Sequence, residues 1–225
     1  GGVTRGSSAQ EEGLCRCSTL YPCLDTEDMW RRFYLPHRRA KAPLYNDDCI
    51  YTPGVVVFKS DTVHPEMMQK RDWYQVDVIT CAAPNLRAIP GNSMNPYAGD
   101  VAADIGKEQL YELHLHRMER IMKIAAANGA DTLILGAFGC GAFCNPPEIV
   151  AEAWKTIQSK YETYFETIEY AVFCGKQDTS NYDTFSKVFS SKKIFDLSRF
   201  SEAHAKNYQK ALAEVKDGYK RTHWM

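Results

Sequence analysis

Four short runs rich in β-branched residues, set among stretches of helical periodicity, constrain this chain more than any other feature. They are "GVVVFK" from Gly54, "VDVITC" from Val76, "TLILG" from Thr132 and "IEYAVFC" from Ile168. Their length and near-continuous apolar character predict strands buried on both faces. From Lys107 to Asn128, Leu110, Leu113, Met118, Ile121, Ile124 and Ala125 recur near the helical period, and Gly129 is placed to end that helix. Asn145 and Pro146 stand as N-cap and first-turn residues of a second helix carrying Ile149, Ala153, Ile157 and Tyr161. Strands alternating with helices predict an α/β fold with a mostly parallel central sheet.

Ligands of such sheets bind beyond the carboxyl ends of the strands, where glycine-rich turns expose backbone N–H groups. Two segments have that character. In "GAFGCGAFCNPPE", Gly136, Gly139 and Gly141 lie between the strand ending at Leu135 and the helix at Asn145. Such a turn lets backbone approach a phosphate, with N–H groups and the helix dipole stabilising the charge, although glycines needed only for tight packing read the same way. It is not a Walker loop, because the Lys-Ser/Thr pair is missing. The Rossmann fingerprint fits poorly too, since its acidic residue would fall inside a helix.

The second segment is the opening, "GGVTRGSSAQEEG". Flexible glycines lead into Gln10, Glu11 and Glu12 at a helix start. Carboxylates there are favoured by the helix dipole alone; in a sugar-binding cleft the same groups could protonate a leaving oxygen and then activate water. A loop of this kind follows a strand, which would have to lie upstream of Gly1, so the domain is expected to be cut at its N-terminus.

Charge narrows the partners. With 27 Lys+Arg against 28 Asp+Glu, no field strong enough to hold a nucleic-acid backbone is expected, and a polyanion must be gripped locally. No apolar run is long enough for a membrane span and no signal peptide is visible, which points to an intracellular protein, not a secreted one. The eight cysteines include no CxxC pair, and several lie in apolar runs, so they read as thiols of a reducing compartment and not as a zinc site. His114 and His116 are two apart on a helix and cannot face one ion together.

The pattern of glycines, a short spacer and "QEE" resembles the signature loop of the bacterial-type poly(ADP-ribose) glycohydrolases, a macrodomain-like family. "LCRCSTLYPCL", "IYTPGVVVFK", "VDVITCAAPN" and "HRMERIMKIAAANGADTLILGAFGCGAFCNPP" follow in the order that family has them. The resemblance covers about residues 1 to 190. It implies a three-layer α/β/α domain over residues 1–193, acting on poly(ADP-ribose) or an ADP-ribosylated macromolecule and releasing ADP-ribose. No cofactor or metal, no membrane and no sequence-specific nucleic-acid contact are implied. Glu12 would be the catalytic carboxylate, and Glu11 would contact the riboses around the scissile bond.

The same resemblance implies that Gly1, Gly2 and Val3 approach the distal ribose and diphosphate, with Gln10 beside them. Gly139, Cys140, Gly141 and Ala142 match the diphosphate loop, with Gly136 and Phe138 as further substrate-binding residues, and Phe143 matches an aromatic that positions the terminal ribose. Asn85 after a strand reads equally as a cleft residue or a turn. Asn181 and Phe185 are candidates for holding adenine, with core packing the alternative for Phe185. The implied reaction is hydrolysis of the ribose–ribose O-glycosidic bond, with Glu12 protonated near neutral pH by partial burial and the neighbouring Glu11 charge. Other readings are an ADP-ribose-binding macrodomain without activity and a mono-ADP-ribosyl hydrolase. Location would be cytoplasmic, or nuclear in a eukaryote.

From Ile194 the character changes. Ser201 can cap a helix carrying Ala205, Tyr208, Leu212 and Val215, with Gly218 at its end. Residues 194–225 resemble the opening of a small helical family of uncharacterised function, DUF1810, which implies the start of a second domain; a terminal helix packed on the first domain is the alternative.

Overall fold

The computed structural model describes residues 3–7, 9–60, 62, 64–91, 93, 98–175, 178–190 and 219–221. Gly1, Gly2, the boundary at 193/194 and the helix expected from Ser201 lie outside the described residues. The helices are α1 (Gln10–Cys17), α2 (Leu20–Leu24), α3 (Glu27–Met29), α4 (Leu35–Ala40), α5 (Lys107–Ala127), α6 (Pro147–Tyr161) and α7 (Ser180–Phe189). The strands are β1 (Cys49–Val57), β2 (Tyr74–Cys81), β3 (Thr132–Leu135), β4 (Thr167–Tyr170) and β5 (Tyr219–Arg221). The chain divides into two compact units: residues 1–82, 88–103 and 218–225, and residues 83–87 and 104–217.

In the first unit, β1 is central, antiparallel to β2 and parallel to β5. It begins five residues before the expected "GVVVFK" run, at Cys49. Pro53 and Gly54 lie inside the strand, at an irregularity between Thr52 and Val55 where the register with β2 shifts. Asp77 on β2 secures it: one carboxylate oxygen accepts from the Gly54 N–H (2.8 Å) and the other from the Tyr51 hydroxyl. Gly54 itself has φ +64°, a conformation a side chain disfavours.

β2 departs from the expectation of burial on both faces. Val76 and Val78 pack on the core and Thr80 is buried, whereas Gln75 and Asp77 are exposed, the alternation of a strand with one wet face. The core of this unit is Cys15, Leu20, Leu24, Met29, Phe33, Ile50 and Val55, with Val3, Tyr21 and Tyr34 against it. Helical backbone runs on from α3 through a five-residue π-helical segment, Trp30–Tyr34, into α4, where Lys41 (φ 48°) stops it.

In the second unit β3 and β4 pair in parallel from Thr132/Thr167 to Leu135/Tyr170. Thus two of the three described strand pairings are parallel, and the longest is antiparallel. The α5 periodicity is realised as read: Leu110, Met118, Ile121, Ile124 and Ala125 are buried, Asn128 ends the helix, and Gly129 adopts φ +77°. α6 buries Val150, Ala153, Trp154 and Ile157. A Tyr111–Thr156 hydroxyl bond (2.9 Å) links α5 to α6, and Lys155 donating to the Val188 carbonyl (2.9 Å) links α6 to the end of α7. No helix of the described residues is long and apolar enough to cross a membrane.

Candidate active site

The acidic pair sits where the sequence placed it. Glu11 and Glu12 occupy the first turn of α1, and Gln10 is its exposed first residue. The far end of α1 is bound to the sheet: Phe58 N–H donates to Cys17 O (3.0 Å), and Thr19 exchanges bonds with Val56, N–H to O and Oγ1 from N–H, both 3.0 Å. The segment before α1 folds back on it, with the Arg16 guanidinium donating to the Ser7 carbonyl and a 3-10 turn at Val3–Arg5. Val3 is part-buried against the core.

A residue that sequence reading did not mark partners the acidic pair. Tyr34, the last residue of the π segment, donates its hydroxyl to Glu11 Oε1 at 3.0 Å. The i→i+5 bond from Leu35 N–H to Trp30 O shows the widened turn that sets where Tyr34 emerges. Its ring lies 5.2 Å from Trp30 and 5.2 Å, edge-on, from Phe33. Burial holds the Glu11 carboxyl above its ordinary value; the Tyr34 bond opposes this and the Glu12 charge adds to it. Tyr34 is held well above the usual phenol range, first by burial and then by the Glu11 charge, so it remains a donor. Burial, Glu11 and Glu12 together push the Cys15 thiol up to about 12, which keeps it an inert core group.

In the second unit, the glycine-rich segment is the turn between β3 and α6. Gly139 has φ +76°, and a Cβ there would lie 2.5 Å from Asn145 Nδ2 and 2.8 Å from Ala83 Cβ, so only glycine fits. Three backbone bonds shape the loop: Cys140 N–H to Ala137 O, Cys144 N–H to Gly141 O and Asn145 N–H to Gly139 O, each 3.0 Å. Among the described residues the N–H groups of Gly139, Gly141 and Ala142 have no acceptor, while Gly141 and Ala142 are exposed. Unpaired amides on a turn leading into a helix form an anion-binding concavity. Cys140 is half-buried, its thiol pushed up to about 12 by burial.

Asn145 is not the N-cap of α6. That position belongs to Pro146, without a side-chain bond, and Asn145 turns inward, 2 % exposed. Its Nδ2 donates to Pro84 O (2.7 Å), Gly139 O (3.0 Å) and, longer, Phe143 O (3.5 Å), and its Oδ1 meets His114 Nε2 at 2.9 Å. His114 is fully buried and its pKa is lowered to about 4, by burial first and then by the Arg117 charge, with the Asn145 bond opposing. Phe138 meets the His114 ring edge-on at 6.1 Å.

Asn85 is fully buried, so it offers no open face to a ligand. Its Oδ1 accepts from Arg87 Nε (3.2 Å) and N (3.4 Å), and the Arg87 guanidinium lies 5.6 Å from the centre of the Phe143 ring. Leu86 N–H donates to Phe143 O at 2.9 Å, which binds the two loops together. Of the turn reading and the cleft reading of Asn85, the turn is what the structure holds. Gly136 and Phe143 are half-buried, as is Asn181 on α7. Phe185, 3 % exposed, has its ring beside Tyr170 (5.9 Å) and Phe189 (6.1 Å), an environment that favours the core-packing alternative.

Comparison with known proteins follows this geometry. Residues 1–60 match the family model described as microbial-type PARG, catalytic domain, and residues 194–225 match that of a protein family of unknown function, DUF1810. No curated protein matches the chain. Among solved structures, poly(ADP-ribose) glycohydrolase from Thermomonospora curvata bound to the inhibitor ADP-HPD is similar, with 31% identity and a TM-score of 0.69, over 84% of this chain and 65% of that one. The Deinococcus radiodurans glycohydrolase in complex with ADP-ribose is similar with 26% identity and a TM-score of 0.69, over 85% of this chain and 71% of that one. The chain therefore spans less than two thirds of the Thermomonospora protein it matches. It has the macrodomain-like fold of the bacterial poly(ADP-ribose) glycohydrolases and, over residues 1–60, the sequence pattern of their catalytic domain.

Proposed function

We propose that this chain is the catalytic part of a poly(ADP-ribose) glycohydrolase that cleaves the ribose–ribose O-glycosidic bond and releases ADP-ribose. The observation that carries it is the Gln10-Glu11-Glu12 turn opening α1, inside the stretch that matches the microbial PARG catalytic domain. The unpaired amides of Gly139, Gly141 and Ala142 support it by offering donors to a diphosphate, and so does the complex of the Deinococcus relative with ADP-ribose. Glu12 donates a proton to the departing ribose hydroxyl as positive charge grows on the anomeric carbon. Its carboxylate then takes a proton from the attacking water, and the pinned diphosphate stabilises the oxocarbenium-like centre between the two steps. Glu11, with Oε1 engaged by Tyr34, keeps its other oxygen for the ribose hydroxyls.

We assign residues 1–193 to this domain and 194–225 to the start of a second, a division supported by the DUF1810 match over 194–225 and opposed by the pairing of Tyr219–Arg221 with β1 in the first unit. All eight cysteines are free, which supports action in a reducing compartment, the cytoplasm or, in a eukaryote, the nucleus.

The test is turnover of automodified polymer and of mono-modified protein by the full-length protein and its Glu12→Gln variant. Polymer turnover is expected to fall by about 10²- to 10⁴-fold, the usual worth of a general acid/base, with ADP-ribose affinity kept. Equal turnover by the variant removes Glu12 from the mechanism. ADP-ribose binding without any cleavage by the parent protein replaces the enzyme with a binding module, and cleavage of mono-modified protein alone replaces the polymer as substrate.

A further inference from the structure

We propose that His114 and Asn145 are positioning residues for anion binding by the turn at Gly139–Ala142: a buried pair, joined at 2.9 Å, that holds the Gly139 and Phe143 carbonyls inward, away from the anion. This rests on the reading of that turn as a diphosphate site.

Bonding directions follow from chemistry. Asn145 Nδ2 has hydrogens only, and its acceptors are the carbonyls of Pro84, Gly139 and Phe143. Oδ1, fixed opposite, can only accept, so His114 must donate through Nε2–H. His114 Nδ1 is then a bare lone pair, in keeping with its having no partner. Turning the amide over would set Oδ1 against three carbonyl oxygens and an N–H₂ against an imidazole N–H. The His114 proton therefore selects one amide orientation, and that orientation draws in the Gly139 and Phe143 carbonyls.

An anion site needs this arrangement, because inward carbonyls leave no lone pair beside the phosphate oxygens. Gly141 O is also occupied, by Cys144 N–H (3.0 Å), and across its trans peptide the Ala142 N–H must point the opposite way. Neither residue of the pair needs to touch the ligand. His114 lies on α5, a helix that a motif search along the loop would never include.

The experiment compares the full chain with His114→Leu, which loses the donor, and His114→Gln, which keeps an N–H donor. ADP-ribose affinity, by calorimetry, is expected to fall about 10- to 100-fold in His114→Leu and to recover to within about threefold in His114→Gln, the range for an unsatisfied buried hydrogen-bond partner. KM for polymer rises in step while kcat holds. Amide exchange at Cys140, Cys144 and Asn145, whose N–H groups bond within the turn, quickens in the Leu variant only, and nitrogen NMR of the parent protein shows the Nε2–H tautomer. Parental affinity in His114→Leu, an equal loss in both variants, or an Nδ1–H tautomer overturns the inference. A parent protein that fails to bind ADP-ribose removes the diphosphate reading instead, and the exchange rates still decide whether the pair holds the turn. If His114→Leu does not fold, the tautomer and the His114→Gln affinity decide.

Discussion

His114 carries a thermodynamic signature of its own. Its pKa is about 4 in the fold against 6.5 for an ordinary histidine, so between those values the unfolded chain binds the extra proton. Its stabilising contribution is complete above pH 6.5 and is lost as the pH falls toward 4. The size is on the order of 3 kcal/mol, from 1.36 kcal/mol per pKa unit. Denaturant titrations from pH 7 to 4.5 should show a steeper loss for the parent protein than for His114→Gln; parallel curves would contradict the assigned burial. Glu11 acts in the opposite sense. Its raised carboxyl contributes most below its unperturbed value of 4.5 and less as the pH rises through the folded one. Neither His114 nor Tyr34, the partner of Glu11, was legible from its neighbours in sequence. His114 looks like one more polar position on a helix and Tyr34 like one more aromatic, because both partners are supplied by distant chain. Asn145 was misread for the same reason: Asn before Pro is a good local N-cap, and a buried tertiary role for its amide outweighs a cap.

Helices read from periodicity were found close to their expected bounds, because α5 and α6 each bury a continuous stripe and α5 ends at Asn128 and Gly129. Strands were found but not their company. Antiparallel pairing of β1 with β2, and the Pro53–Gly54 irregularity that Asp77 secures, depend on contacts no local window contains. The π segment left no sequence mark either, since its residues suit an α-helix equally well. α7 gives the sharpest lesson, because a loop-to-helix aromatic after the last strand fits both adenine and core. Tyr170 and Phe189, stacked at 4.3 Å, decide for the core together with Phe185. Phe185→Ala should cost about 3 to 5 kcal/mol of stability by denaturant titration, as large-to-small core changes do. ADP-ribose affinity of the folded variant should stay within a few-fold by calorimetry, and a variant that keeps stability but loses affinity would return Phe185 to the ligand.

Over the whole molecule, formal charge sums to -1, so a polyanionic substrate meets no general attraction. Binding by a few amides of one turn should respond weakly to salt. Raising sodium chloride from about 50 to about 200 mM is expected to change KM for polymer less than about fivefold, where proteins gripping six or more phosphates through Lys and Arg lose about 10³ or more. A steep slope in initial-rate measurements would mean that cationic side chains beyond this turn hold the polymer. One feature of the sheet has a practical result. β1 is flanked by β2 on one side and by Tyr219–Arg221 on the other. A chain shortened to drop the last few residues would bare the backbone donors and acceptors of Cys49, Ile50 and Tyr51, a ready template for a neighbour's strand. Tyr219–Arg221 thus cover the β1 backbone at Cys49–Tyr51.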